Sequence, residues 1–278
     1  MDIIPGIYNL TDEQYHHTDP WSDAISSTFL KNLIGKSPQH AIFERSNPTD
    51  KAELRFGKLF HTILLEPDKF ADKVVFWNGR RTGKKYNELA AVVGDRAIVN
   101  EREHDQLRRM RDAVMKMETA KGLFSAGMAE ESFFFVDGPT GLMCRCRPDW
   151  QAPKIQIIAD LKTTSNPASK QSFSRTIAQF HYDLQAAFYM GGVNSTLTKR
   201  PKIIFDTWIW IVAEVNPPYG VGIYEAEHNV LENGRAKVRW ALDKCSECYA
   251  LDEWGGYADE VVKVDIPGWA NWKKAGHE

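Results

Sequence analysis

Residues 155–164, Ile-Gln-Ile-Ile-Ala-Asp-Leu-Lys-Thr-Thr, read as a strand that is apolar enough to be buried and yet carries a carboxylate and an amine. Successive side chains of a strand alternate faces, so Asp160 and Lys162 share one face and Leu161 points to the other. An isolated Asp-x-Lys is most simply an ion pair on an exposed edge strand. Here Ile157, Ile158, Ala159 and Leu161 argue for burial, where unpaired charges are costly. A second carboxylate, Asp149, closes the preceding strand, and the turn Trp-Gln-Ala-Pro-Lys brings it beside Asp160 if the two strands pair. Two acids at one place suit Mg²⁺ or Mn²⁺, which prefer oxygen ligands, and the Leu161 carbonyl offers another oxygen between Asp160 and Lys162. A lysine touching the attacking oxygen completes a centre suited to phosphodiester hydrolysis.

The rest of the chain places this strand in an α/β context. Helical spacing or capping predicts helices over 27–34, from Ser37 and Pro38 onward, over 51–66 with His61 on it, and from Asn100 and Glu103 to about residue 123. The period then changes. Residues 131–136 and 142–147 read as strands around Asp-Gly-Pro-Thr-Gly, with 155–164 as the third strand of a meander. One helix follows over 170–192, then strands over 202–215 and 220–227, and a helix over 230–250. No linker or repeat divides the chain, so it is read as a single domain over 1–278, mostly helical over 1–125 and sheet-based over 126–278. The fold class is α/β, a central mixed sheet flanked by helices with an N-terminal helical addition.

Composition excludes little. The chain is 43% hydrophobic and 26% charged, with no apolar run approaching a membrane span and no leader-like start, so no membrane role and a cytoplasmic setting are expected. A net charge of −2 supplies no global attraction to nucleic acid, so any phosphate-binding surface must be local. Arg80, Arg81, Lys84 and Lys85 form one such segment. Arg145 and Arg147 lie opposite Cys144 and Cys146, and share the side of Asp149 if the strand stays regular through Pro148. The four cysteines fit a reducing compartment.

Asp149 followed by Ala-Asp160-Leu161-Lys162-Thr-Thr resembles the PD-(D/E)xK nuclease signature, in particular its RecB-like branch. Further blocks in the same order, Gly-Lys-Leu-Phe-His-Thr-Ile-Leu-Leu-Glu-Pro from Gly57, Phe-Trp-Asn-Gly-Arg-Arg-Thr-Gly-Lys-Lys from Phe76, the stretch around Glu130, Tyr-Asp-Leu-Gln-Ala-Ala-Phe-Tyr from Tyr182 and the segment 252–270, are similar to the RecE C-terminal exonuclease (exodeoxyribonuclease VIII) family and related phage exonucleases. Several ordered blocks are more specific than any one of them. The resemblance implies the PD-(D/E)xK nuclease fold. It implies metal ligation by His61, Glu130, Asp149, Asp160 and the Leu161 carbonyl, with Lys162 as catalytic lysine. Glu131 adjoins Glu130, and strand alternation would send only one inward; Glu130 is taken as the ligand. Gln185 and Tyr189 match the Gln-x-x-x-Tyr motif and are expected to contact DNA or position the lysine, while Arg80 and Arg81 fall where the family carries paired arginines.

The activity implied is a Mg²⁺-dependent exonuclease, with Mn²⁺ as a substitute, that removes 5′ mononucleotides from double-stranded DNA ends and leaves 3′ tails for strand annealing. A ring-shaped homo-oligomer, trimer or tetramer, a single-strand annealing partner and a bacterial or phage-infected cytoplasm are implied with it. The alternatives are an endonuclease of restriction or repair type and an inactive DNA-binding scaffold. Some RecB-like nucleases hold an iron–sulfur cluster on four cysteines, but Cys144, Cys146, Cys245 and Cys248 have the wrong spacing and are expected to pack in the core.

Overall fold

The computed structural model describes residues 3–47, 52–94, 96–197 and 203–266. The N-terminal part contains β1 (Gly6–Tyr8), α1 (Asp12–His17), α2 (Ser27–Gly35), α3 (Pro38–Ser46), α4 (Ala52–Leu65) and α5 (Pro67–Lys73). Then come β2 (Val74–Phe76), α6 (Lys84–Val92), β3 (Ala97–Val99), α7 (Glu101–Met115) and α8 (Glu118–Phe124). The sheet region holds β4 (Met128–Ala129), β5 (Ser132–Val136), β6 (Met143–Cys146), β7 (Trp150–Ala152) and β8 (Ile157–Thr164). It continues with α9 (Lys170–Phe180), α10 (Tyr182–Thr196), β9 (Thr207–Glu214), β10 (Val221–Glu225) and α11 (His228–Leu251).

Local chemistry sets several of these boundaries. The Ser37 hydroxyl accepts from the His40 amide with Pro38 in the first turn, where its missing amide costs nothing. Asn100 and Glu103 form both bonds of a capping box at the start of α7. Two long helices predicted from periodicity are each divided. The stripe of Leu107, Met110 and Val114 is buried as expected, but the helix stops at Met115, and Met117 is 39% exposed. The break lets α8 turn Ala120 and Leu123 into the core. The expected 170–192 helix breaks at His181, whose φ of 52° and ψ of 45° place it in the left-handed region. Phe180, on the last turn before the break, is left exposed.

The expected meander is also corrected. β5 and β6 belong to a three-stranded sheet in the order β1-β5-β6, whereas β8 lies at the centre of a five-stranded sheet, β10-β9-β8-β7-β4. The chain crosses between the sheets at 147–149, where Pro148 has no amide with which to continue a ladder. β7 pairs antiparallel with β8, placing Trp150 opposite Ala159, and β8 runs parallel to β9 with Asp160 beside Trp210. α9 and α10 supply the crossover that two parallel neighbours require.

Alternation along the central strands feeds two cores. Ile158, Trp208, Trp210 and Val212 pack with Leu184 of α10 and Leu242 of α11. Ala159, Leu161, Ile211 and Ala213 pack with Phe60 and Ile63 of α4 and Leu107 and Met110 of α7. All four cysteines are free and buried, and among the described residues no helix is long and apolar enough to cross a membrane.

α10 and α11 approach closely at Gly234, where an added Cβ would lie 2.1 Å from the Asp183 carbonyl oxygen and 2.9 Å from the Ala187 Cβ. Gly234→Ala is therefore expected to destabilise the protein by about 2 kcal/mol, because overpacking against backbone outweighs the roughly 1 kcal/mol gained in helix propensity. A chemical-denaturation midpoint measures this directly; an unchanged or higher midpoint would show that α11 can move away from α10 at little cost.

Candidate active site

The site forms where β7 and β8 part. Their ladder includes Trp150 and Ala159 but does not reach Asp149, so the Leu161 amide is left for the Asp149 carboxylate, which accepts from it at 2.6 Å. The other Asp149 oxygen lies 3.5 Å from Nδ1 of His61 on α4, a helix whose rotation is set by burial of Phe60 and Ile63. Glu130 follows β4 with a φ of 56°. That left-handed turn directs its carboxylate to within 4.0 Å of His61 Nδ1, whereas Glu131 accepts from Gln151 at 3.4 Å. The choice between the two glutamates is thus made by a backbone turn and not by strand alternation. One donor atom from each of His61, Glu130 and Asp149 lies within 4.8 Å of the others.

Asp160 does not join that group of three. It is 1% exposed, and its carboxylate is held by Lys162 Nζ at 2.5 Å and by the Gln185 side-chain amide at 2.8 Å. Lys162 also lies 3.5 Å from the Gln185 oxygen and 4.6 Å from the centre of the Tyr182 ring. Leu161 is buried between the two charged residues and takes part through its backbone.

The charges are strongly coupled. Burial, reinforced by the Asp149 charge, pushes the Glu130 carboxyl up to about 8. Burial works against a charged His61, but Asp149 and then Glu130 raise its pKa to about 9. Burial likewise opposes ionisation of Asp149, yet His61, Lys162 and the Leu161 amide bring it below the usual carboxylate range. Asp160 is raised by burial and by Asp149, with Lys162 pulling the other way. For Lys162, burial disfavours the ammonium, but Asp160, Tyr182 and Asp149 together favour it. Crowded carboxylates that resist sharing negative charge, set beside one imidazole, are the donor set a hard divalent cation stabilises. His61, Glu130 and Asp149 fit such an ion, with Asp160 adjoining.

Other predicted residues stand elsewhere. Arg145 and Arg147 are 7% and 8% exposed. Both guanidinium groups stack on Tyr15, at 4.6 and 4.1 Å from its ring centre. Arg147 also donates to Ser132, to the Leu10 carbonyl and to Asp12. The strand ends at Cys146, so the regular alternation assumed through Pro148 fails. Both arginines are thus buried against Tyr15 of α1. Tyr189 lies one turn after Gln185 but packs against Trp208, so of these two residues Gln185 is the one beside the lysine. Arg80, Arg81, Lys84 and Lys85 are exposed around the start of α6. Arg81 is paired with Glu103, and Lys84 lies 3.9 Å from Glu88.

Two neighbours of the site escaped the sequence reading. Tyr182, three residues before Gln185, follows the His181 break and faces Lys162; its spacing from Gln185 is the signal that could have found it. Lys31 on α2 also reaches Gln185, and no local pattern links positions so far apart.

A search of the curated proteins returned no match. Among solved structures, the chain is similar to a "Putative exonuclease" from Eubacterium rectale, at 13% identity and a TM-score of 0.65, covering 94% of this chain and 97% of that one. It is also similar to a phage related exonuclease from Haemophilus somnus 129PT, at 13% identity and a TM-score of 0.37, covering 83% and 96% respectively. The first likeness bears on the fold alone. A family model for the PDDEXK-like domain of unknown function (DUF3799) matches residues 26–265, and the chain belongs to that family.

Proposed function

We propose that this protein is a metal-dependent exonuclease of double-stranded DNA, degrading from 5′ to 3′, releasing mononucleotides and leaving 3′ single-stranded tails. The family and the fold support a nuclease. The observation that carries the hydrolytic reading is the juxtaposition of the His61, Glu130 and Asp149 donors with the Asp160–Lys162 pair across one strand. The direction of digestion and its place in strand-annealing recombination rest on the resemblance to RecE-type exonucleases. So do a ring-shaped homo-oligomer, a single-strand annealing partner and a cytoplasmic site of action.

His61, Glu130 and Asp149 would hold Mg²⁺, or Mn²⁺ in its place, with Asp160 completing the acidic surround. The chemistry that such an ion would supply there is polarisation of the phosphodiester and a lowered pKa for water. The protein groups do the rest. Asp149 bridges His61 and the Leu161 amide, fixing the end of α4 to the active strand. Gln185 donates to Asp160 and lies beside the Lys162 ammonium, restricting both side chains to one arrangement. Lys162, aimed along the face of β8, donates hydrogen bonds to the attacking oxygen or to the charge that develops on the phosphate.

The reading is tested with a linear duplex labelled at its 5′ or 3′ end, beside a closed circle, in Mg²⁺, Mn²⁺ and EDTA. Early release of the 5′ label as mononucleotide, with the circle intact and EDTA abolishing the reaction, is the expected result. Cutting of the circle would replace it with an endonuclease, and binding without degradation in either metal would leave a DNA-binding scaffold.

A further inference from the structure

The site contains a second lysine that neither the motif nor the metal ligands account for. Lys31 comes from α2, a helix anchored in the core by Phe29, Leu30 and Leu33, so its backbone is held firmly against the sheet region. Its Nζ donates to the Gln185 side-chain oxygen at 2.7 Å, the same oxygen that Lys162 approaches at 3.5 Å. Both ammonium groups also lie over the Tyr182 ring, at 5.1 and 4.6 Å from its centre. Lys162 has the Asp160 carboxylate as its counter-charge. Lys31, among the described residues, makes its hydrogen bond to a neutral amide oxygen.

Two cations drawn to one neutral acceptor repel each other, and a single amide oxygen compensates neither fully. Burial and the neighbouring Lys162 hold the Lys31 pKa down to about 7, with Asp160 and Asp183 acting more weakly in the opposite direction. A group of this kind is stabilised when an anion arrives. The anion must be one that reaches the Lys162 face of β8, which on the nuclease reading is the DNA backbone.

We infer that Lys31 is a second phosphate-contacting residue of the site, so that Lys31 and Lys162 together hold a DNA backbone phosphate against the Gln185–Tyr182 edge of α10. This rests on the proposed nuclease function and adds a binding residue to it. Lysine serves here as a compact point charge and not as a bidentate fork, which suits a phosphate approached from two different elements. The Tyr182 ring beneath both amines limits where they can move and keeps them on the substrate side.

The test compares the full-length protein with Lys31→Met and Lys31→Arg for binding of a fluorescent duplex in EDTA, across a salt series. Each phosphate contact contributes about 0.9 to the slope of log affinity against log salt. Lys31→Met is expected to reduce that slope by about 0.9 with an unchanged unfolding midpoint, and Lys31→Arg to retain it. In Mg²⁺ the Met variant is expected to lose about 10-fold in kcat/KM, mostly through KM. An unchanged slope in a folded Met variant would overturn the inference and leave Lys31 as a support for Gln185. Should the Met variant not fold, Lys31→Gln is read in the same way. Failure of the nuclease reading would show separately, as wild-type protein that binds duplex with the full slope but degrades none of it in Mg²⁺ or Mn²⁺.

Discussion

Asp149→Asn is expected to lower Mg²⁺-supported DNA degradation by about 10³-fold while the chain stays folded, because it removes charge from the residue that bridges His61 and the Leu161 amide. The asparagine can still present an oxygen to the Leu161 amide, which Asp149 now binds at 2.6 Å. What it loses is the anion facing His61 at 3.5 Å and one of the three donors grouped within 4.8 Å. His61 then falls from about 9 toward its ordinary value near 6.5. Glu130, relieved of the Asp149 charge, drops from about 8. Calorimetric titration with Mn²⁺ should show weakened binding in step with the loss of rate. Asp149→Ala adds a different defect, because it strands a buried amide at a cost of about 1–3 kcal/mol. Full activity in a folded Asp149→Asn protein would remove the grouped donors from the mechanism.

Lys162→Ala should reduce kcat by about 10²-fold and change KM much less, since the lysine is assigned to charge that develops during the reaction. The substitution also leaves Asp160, 1% exposed, without its ammonium and with Gln185 as its remaining neighbour. Asp160 is already raised by burial and by Asp149, and loss of the opposing Lys162 charge raises it further. A carboxyl whose folded-state pKa is raised favours the folded form at low pH and loses that contribution as pH rises through the folded value. Measured in EDTA, the variant should therefore be closer to wild-type stability at pH 5 than at pH 8. A variant that matches wild type in kcat would place the reacting phosphate away from this face of β8.

The legibility of the site followed the range of the contacts that build it. Asp160 and Lys162 could be placed on one face because the strand repeat is two residues, a local geometric fact. Their burial was readable because Ile157, Ile158 and Leu161 leave no other place for the strand. The turn expected at 150–154 is instead strand β7, which pairs with β8 without including Asp149, so Asp149 joins β8 through its carboxylate on the Leu161 amide and not through strand pairing. The expected third strand of a meander was wrong because the composition of 131–147 specifies strands without specifying their sheet. Arg145 and Arg147 show the same limit, since alternation could be extended on paper through a proline that ends the ladder.

Sequence by itself determined the buried strand that carries Asp160 and Lys162, the caps at Ser37 and Asn100, and the burial of the cysteines, all of which depend on neighbours in the chain or on simple burial. Tertiary structure alone decided which residues meet across long separations. It turned Glu130 inward through a left-handed backbone, divided the 170–192 helix at His181 so that Tyr182 lies beneath Lys162, and brought Lys31 from α2 to Gln185. These juxtapositions arise from the packing of helices on a shared sheet, where the apolar stripe of each helix sets its rotation and so the direction of its polar residues. Periodicity records that a stripe exists but not which surface will cover it.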